Sequence, residues 1–145
     1  MLSVDVNVLI YGFDADSAHH DSAAALLARI MAGPEVALIF PSVAAGFVRV
    51  VTDRRILQNP ASPAEATAFL DALLTPSHVR CSEGSADLWP DLRALLTRYG
   101  LRGADVTDAL LASSAIRAGV TWYSYDRGFA RFSELTWIDP ADIPG

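Results

Sequence analysis

The chain alternates short apolar runs with longer stretches in which apolar residues recur at helical spacing. The first apolar run, Leu2, Val4, Val6, Val8, Leu9 and Ile10, is interrupted by Asp5 and Asn7. Its start, "SVDV" (3–6), reads as a buried strand that runs into a helix or turn. "SAHHDSAAALLARIMAG" (17–33) reads as a helix with Ser17 at its N-cap and Gly33 as its stop, with Pro34 behind it. "EVALIF" (35–40) is a strand closed by Pro41, and "SVAAGFVRVVTD" (42–53) is a helix starting at Ser42. "SPAEATAFLDALLT" (62–75) carries a helix start in full. Ser62 caps it, Pro63 takes the first helical position, and Glu65 stands three residues after the cap. "HVRC" (78–81) is a short strand. "SADLWPDLRALLTRYG" (85–100) and "DVTDALLASSAIRAG" (105–119) are helices, each closed by Gly. "VTWYSYD" (120–126) and "ELTWID" (134–139) are the last two strands.

Strands alternating with helices predict an α/β fold, a mostly parallel central sheet with helices on both faces. Such sheets bind ligands at the carboxyl ends of their strands. The chain has 145 residues, enough for one domain with one core and no more. No repeat or low-complexity tract divides it. Leu26, Leu27 and Ile30, and Leu70, Leu73 and Leu74, form apolar helix faces that serve the core or a dimer, the core first.

Composition narrows the class of function. Hydrophobic residues make up 52% of the chain and charged residues 19%, which excludes disorder. No apolar run approaches the ~18 residues of a membrane span, and the N-terminus lacks the pattern of a signal peptide. The single cysteine, Cys81, has no internal partner and is expected to be a half-buried structural thiol. A cytoplasmic location, with no membrane partner, is the corresponding expectation. The net charge of −6 argues against coating the whole surface with nucleic acid, but charge acts locally. All 11 basic residues are Arg, the cation whose planar fork matches phosphate.

The acids fall where such a fold puts ligands. Asp5 ends strand one and Asp126 ends "VTWYSYD", while Asp105 and Asp108 open the helix 105–119. Residues three apart on a helix share a face, so Asp105 and Asp108 can both turn to the rim that holds the two strand ends. Each acid also has a local reading. Asp5 could cap the helix after it, Asp105 could favour the helix dipole, and Asp126 could be a turn acid in "YDRGF". Grouped carboxylates repel one another and raise their own pKa values, and a hard cation removes that conflict. With no His or Cys beside them, the oxygens favour Mg²⁺, with Mn²⁺ as a substitute, over Zn²⁺.

The motifs resemble the PIN-domain family, and within it the VapC toxins of type II toxin–antitoxin systems. "VDVNVLIYG" is similar to the first family motif. "FVRVVTDRRIL" is similar to the segment after strand two, and "DVTDALLASSAIRAGVTWYSYDRGFARF" to the third and fourth motifs. The resemblance spans nearly the whole chain. It implies a single PIN domain over 1–145, a three-layer sandwich, and a Mg²⁺-dependent endoribonuclease that hydrolyses RNA phosphodiester bonds. It implies Asp5, Asp108 and Asp126 as catalytic and metal-holding acids, with Asp105 as a further ligand. Asn7 would orient an acid or an ion-bound water from behind, or else cap a helix. The implied partners are an RNA substrate, a cognate VapB-type antitoxin and a second copy of the chain in a homodimer.

There is one departure. The family's usual Glu before the Phe-x-Arg-Val pattern falls at Gly46 here. A helix-packing glycine explains that position, and so does a lost ligand. The loss leaves open a catalytically weak or inactive PIN-like module that binds RNA or a partner. An acid-dependent phosphatase is a weaker alternative, because Asp5-Val6-Asn7 lacks the second acid of an Asp-x-Asp pair. Arg127 could reach a substrate phosphate, though a solvated loop charge is the better account of it, and Arg49, Arg54 and Arg55 could flank an RNA path, though a helix-end salt bridge explains them as well. His19 and His20 are expected to be solvated at a helix start.

Overall fold

The structure is a computed structural model that describes residues 1–83 and 87–144. One five-stranded sheet organises it: β1 (Leu2–Val4), β2 (Ala37–Ile39), β3 (Val79–Cys81), β4 (Thr121–Tyr123) and β5 (Trp137–Ile138). The spatial order is β3-β2-β1-β4-β5 and every neighbouring pair is parallel. The register sets Ser3 beside Trp122 and Val4 beside Tyr123. The helices are α1 (Val6–Phe13), α2 (His20–Ala32), α3 (Pro41–Val51), α4 (Pro63–Leu73), α5 (Trp89–Tyr99) and α6 (Asp105–Ala118).

Right-handed crossovers explain the layers. The chain steps from β1 to β2 to β3 in one direction, so α1 to α4 cover one face. It then returns past β1 to reach β4, which puts α5 and α6 on the other face. The contacts agree, since α1 packs on α2 and α3, α3 on α4, and α5 on α6. This is the expected three-layer α/β sandwich. Its core includes Trp122, stacked on Phe40 with ring centroids 5.8 Å apart, and the buried side chains of Leu26, Leu27, Ile30, Leu70 and Leu73. Those helix faces therefore serve the core.

Local signals held where they were strong. Ser62 accepts from the Glu65 N–H at 3.1 Å and Glu65 accepts from the Ser62 N–H at 3.3 Å, the reciprocal cap the spacing predicts. Gly100 and Gly119 close α5 and α6 at φ of 61° and 65°, a left-handed conformation that favours glycine.

Several expectations are corrected. Strand one stops at Val4, because Asp5 turns the chain and its carboxylate accepts the Val6 N–H at 2.7 Å, starting α1. The strand expected over 120–126 ends at Tyr123. Helix α2 begins at His20, not beside Ser17, whose hydroxyl instead accepts the His19 N–H in the preceding turn. Helix α3 starts one residue early, with Pro41 in the first turn where its missing N–H costs nothing. Helix α5 starts at Trp89; Ser85 and Ala86, where it was expected to begin, lie outside the described residues. Cys81 is exposed, because it lies at the end of the edge strand β3. Among the described residues no helix is long and apolar enough to cross a membrane.

Candidate active site

The strand order reverses between β1 and β4, and the carboxyl ends of strands at such a reversal are the usual ligand position in this class of sheet. Asp5 follows β1 directly. Ser124, Tyr125 and Asp126 follow β4. Helix α6 leads back towards β4 and so starts at the same rim, bringing Asp105 and Asp108 in its first turn.

Asp5 is only 7% exposed. Its Oδ1 accepts the Val6 N–H, and its Oδ2 accepts the Ser124 hydroxyl at 2.6 Å and the Asn7 amide at 3.1 Å. The capping and site readings of this residue are thus compatible, one oxygen serving each. Burial nevertheless outweighs the hydrogen bonds from Ser124 and the Val6 N–H. It pushes the carboxyl up to about 6, and the charges of Asp108 and Asp126 add to the rise.

Asn7 is a brace rather than a cap. Its amide donates to Asp5 Oδ2 and to Ser124 Oγ, both at 3.1 Å, and its carbonyl oxygen accepts the Tyr125 N–H at 3.3 Å. Ser124 is fully buried, and its Oγ accepts the Asp126 N–H at 3.0 Å. One hydroxyl therefore ties the acid after β1 to the turn after β4. The sequence reading passed over Ser124. Its signal was a small polar residue at a strand end, two positions before an acid.

Asp126 is exposed, and its Oδ1 accepts the Gly128 N–H at 2.8 Å, capping the short 3₁₀ turn Arg127–Arg131. Asp108 has its carboxyl raised by partial burial and by the charge of Asp126, with Arg131 opposing the rise. Arg131 Nη2 donates to Asp108 Oδ2 at 3.0 Å, and Nη1 lies 3.4 Å from Asp105 Oδ1. Arg131 was also missed, since nothing in "RGFARF" shows which acid it reaches. Arg127 is spent elsewhere, on Asp139 at 3.0 Å and Asp142 at 3.6 Å. Arg55 pairs with Asp53 at 3.1 Å, a local ion pair. His20 Nδ1 lies 2.9 Å from the Tyr11 carbonyl oxygen, and the exposed His19 ring packs against Tyr125 with centroids 4.6 Å apart.

The fold thus gathers Asp5, Asp108 and Asp126 within range of one another's charge. Among the described residues, however, no three acid, His or Cys side chains are placed to hold one ion together. The donors suit a hard divalent cation in kind, being carboxylate oxygens with a buried acid among them. Their present bonds direct them to Arg131, to backbone amides and, at Asp5, to the Ser124 hydroxyl and the Asn7 amide.

Gly46 packs on the residue after Asp5. A Cβ built there would stand 3.0 Å from Val6 Cγ2, tighter than ordinary contact. A side chain at this position would press on Val6, which must yield. Gly46→Glu is expected to lower the melting temperature of metal-free protein by about 2–12 °C, the equivalent of ~1–3 kcal/mol of overpacking. It is also expected to tighten Mn²⁺ binding in calorimetry, by adding a carboxylate beside Asp5. An unchanged Mn²⁺ affinity would mean that the position serves packing alone.

The PIN-domain family profile matches residues 2–135. The chain is similar to ribonuclease VapC43 of Mycobacterium tuberculosis, 43% identical over 143 residues, which cover 98% of this chain and 97% of the relative. It is also similar to ribonuclease VapC48 of the same organism, 33% identical over 137 residues, covering 94% of each. Among solved structures it resembles VapBC2 from Rickettsia felis bound to a promoter DNA fragment. That match has a TM-score of 0.68 at 20% identity and covers 94% of this chain and 96% of the other. Mycobacterium tuberculosis VapC20, a sarcin–ricin-loop-cleaving toxin, matches with a TM-score of 0.66 at 21% identity, over 94% of this chain and 98% of the other.

Proposed function

The chain belongs to the PIN-domain family, and from that premise we propose that it is the toxin of a type II toxin–antitoxin pair, a metal-dependent endoribonuclease. The observation that carries this reading is Asp5, a buried carboxylate at the strand-order reversal, fixed by Ser124 and Asn7 and facing the charges of Asp108 and Asp126. The VapC relatives, ribonucleases by name, support RNA as the substrate.

Asp5, Asp108 and Asp126 would hold Mg²⁺ or Mn²⁺, with Asp105 as a further oxygen donor. The bound ion would offset charge at the scissile phosphate and lower the pKa of a water. The protein's own part is positional. Ser124 and Asn7 fix the Asp5 oxygens, and burial keeps bulk water from competing for them. Without a cation the acids would repel the RNA backbone, so binding and chemistry share one requirement. A VapB-type antitoxin is the proposed partner, and the net charge of −6 suits a basic segment.

The test is cleavage of RNA by purified protein with Mg²⁺, with Mn²⁺ and with excess EDTA. Cutting is expected with either ion and none in EDTA. Cutting that persists in EDTA would overturn the mechanism. Gly46 at the place of the family's usual Glu favours a second reading, a module that binds without cutting. Retained RNA binding with no cleavage under any ion would select it.

A further inference from the structure

The 3₁₀ turn after Asp126 ends in Arg131, whose guanidinium spans two acids of the first turn of α6. Nη2 is bonded to Asp108 and Nη1 is paired with Asp105. The Nε atom, with its single N–H, is buried and has no acceptor. The guanidinium carbon lies 4.9 Å from the centre of the Phe132 ring, so an aromatic side chain flanks it. A guanidinium carries five N–H donors, and leaving a charged group's N–H buried and unpaired is costly. An arginine serving only as a structural tie would be expected to satisfy Nε. Arg131 instead turns its two terminal nitrogens to Asp105 and Asp108 and leaves Nε bare.

Those carboxylates are also the oxygens a divalent ion would need. Among the described residues no three such side chains are set for one ion, and two of the acids at this rim are engaged by Arg131. We propose that Arg131 is a built-in competitor of the divalent ion, holding Asp108 and Asp105 while the ion is absent and releasing Asp108 when it binds. This rests on the metal-dependent reading above. The resting pair lets the acid cluster fold without metal, since the guanidinium neutralises charge that would otherwise repel. It also pins the turn carrying Asp126 against α6. The same contact weakens ion binding, because the ion must displace a cation from its ligand. Arg131 is in this sense a positioning residue that sets the affinity for the ion.

The experiment is Mn²⁺ titration of the full chain by calorimetry, for the native protein, Arg131→Gln and Arg131→Lys. Removing a unit charge beside the acids is expected to tighten Mn²⁺ binding about 5- to 30-fold in Arg131→Gln, while Arg131→Lys, which keeps the charge, stays within about threefold of native. In native protein labelled with ¹⁵N-arginine, the Arg131 Nε–H resonance is expected to shift as Mg²⁺ is added, saturating at the occupancy that calorimetry reports. Arg131→Gln binding Mn²⁺ no more tightly than native would overturn the proposal, whatever happens to its melting temperature. So would an Nε–H resonance unmoved at saturating Mg²⁺, and that measurement decides the matter if Arg131→Gln does not fold. If neither native protein nor Arg131→Gln binds Mn²⁺, the metal-dependent reading falls and takes this proposal with it. Native binding with an unaltered Arg131→Gln removes the competition alone.

Discussion

Asp5→Ala is expected to lower Mg²⁺-supported RNA cleavage by at least ~10³-fold, equivalent to about 4 kcal/mol of lost transition-state stabilisation. The size follows from position. Asp5 is the acid whose two oxygens are both fixed, one by the Val6 N–H and the other by Ser124 and Asn7. Asp108 and Asp126 are more exposed and could be partly replaced by water. Truncation leaves those three donors without an acceptor, each a local cost of ~1–3 kcal/mol where it stays dry, while removing an expensive buried charge. Circular dichroism and thermal melts must therefore show that the variant is folded before its rate is read. Asp5→Asn keeps the size and one acceptor oxygen and is expected to fail almost as fully, because it lacks the charge. A single-turnover rate near native for Asp5→Asn would mean that Asp5 acts only as a cap.

Chelated native protein is expected to lose up to about 3 kcal/mol of unfolding free energy between pH 4 and pH 6.5 through Asp5 alone, about two pKa units at 1.36 kcal/mol each. The Asp5 carboxyl moves from an ordinary 3.8 to about 6 in the folded chain. Below 3.8 both states hold the proton and the group has no effect on folding. Between 3.8 and 6 the folded state keeps a proton that the unfolded state has released, so each rise in pH favours unfolding. Above 6 both are ionised and the loss levels off. Urea melts of native protein and Asp5→Asn, each at pH 4, 5.5 and 7 in EDTA, isolate the effect as the difference in pH slope. Carboxylates remote from Asp5, such as Asp53 with its pKa lowered by Arg55, cancel in that difference. Saturating Mg²⁺ should abolish the loss, since the ion binds only the ionised acid. Equal slopes for the two proteins would show that Asp5 is not held above its ordinary value.

Much of this architecture was legible residue by residue. The Ser62–Glu65 cap and the glycine stops at Gly100 and Gly119 are written within a few positions of one another, and they came out as read. The strand and helix alternation was enough to place Asp5, Asp105, Asp108 and Asp126 at one end of a parallel sheet. The stretch after 3–6 reads only as a helix or turn, because Val6, Val8 and Ile10 are β-branched, and packing on α2 and α3 makes it a helix. Cys81 was misplaced because the pattern "HVRC" does not reveal that its strand lies at the sheet edge.

By itself, then, the sequence determined the elements, their order, the parallel sheet and the acids that lie at strand ends and helix starts. Caps, glycine stops and hydrophobic period act between residues a few positions apart, so they can be read along the chain. The tertiary structure alone decided what those acids touch. Ser124 reaches Asp5 across 119 positions, and Arg131 reaches Asp108 across 23, while Arg127, four residues earlier, turns to Asp139. Gly46 meets Val6 only because α3 crosses the start of α1. Such contacts depend on where separate elements cross and on which carboxylate lies within about 3 Å of a given donor. No local pattern encodes that distance; the packing of the two helical layers on the sheet sets it.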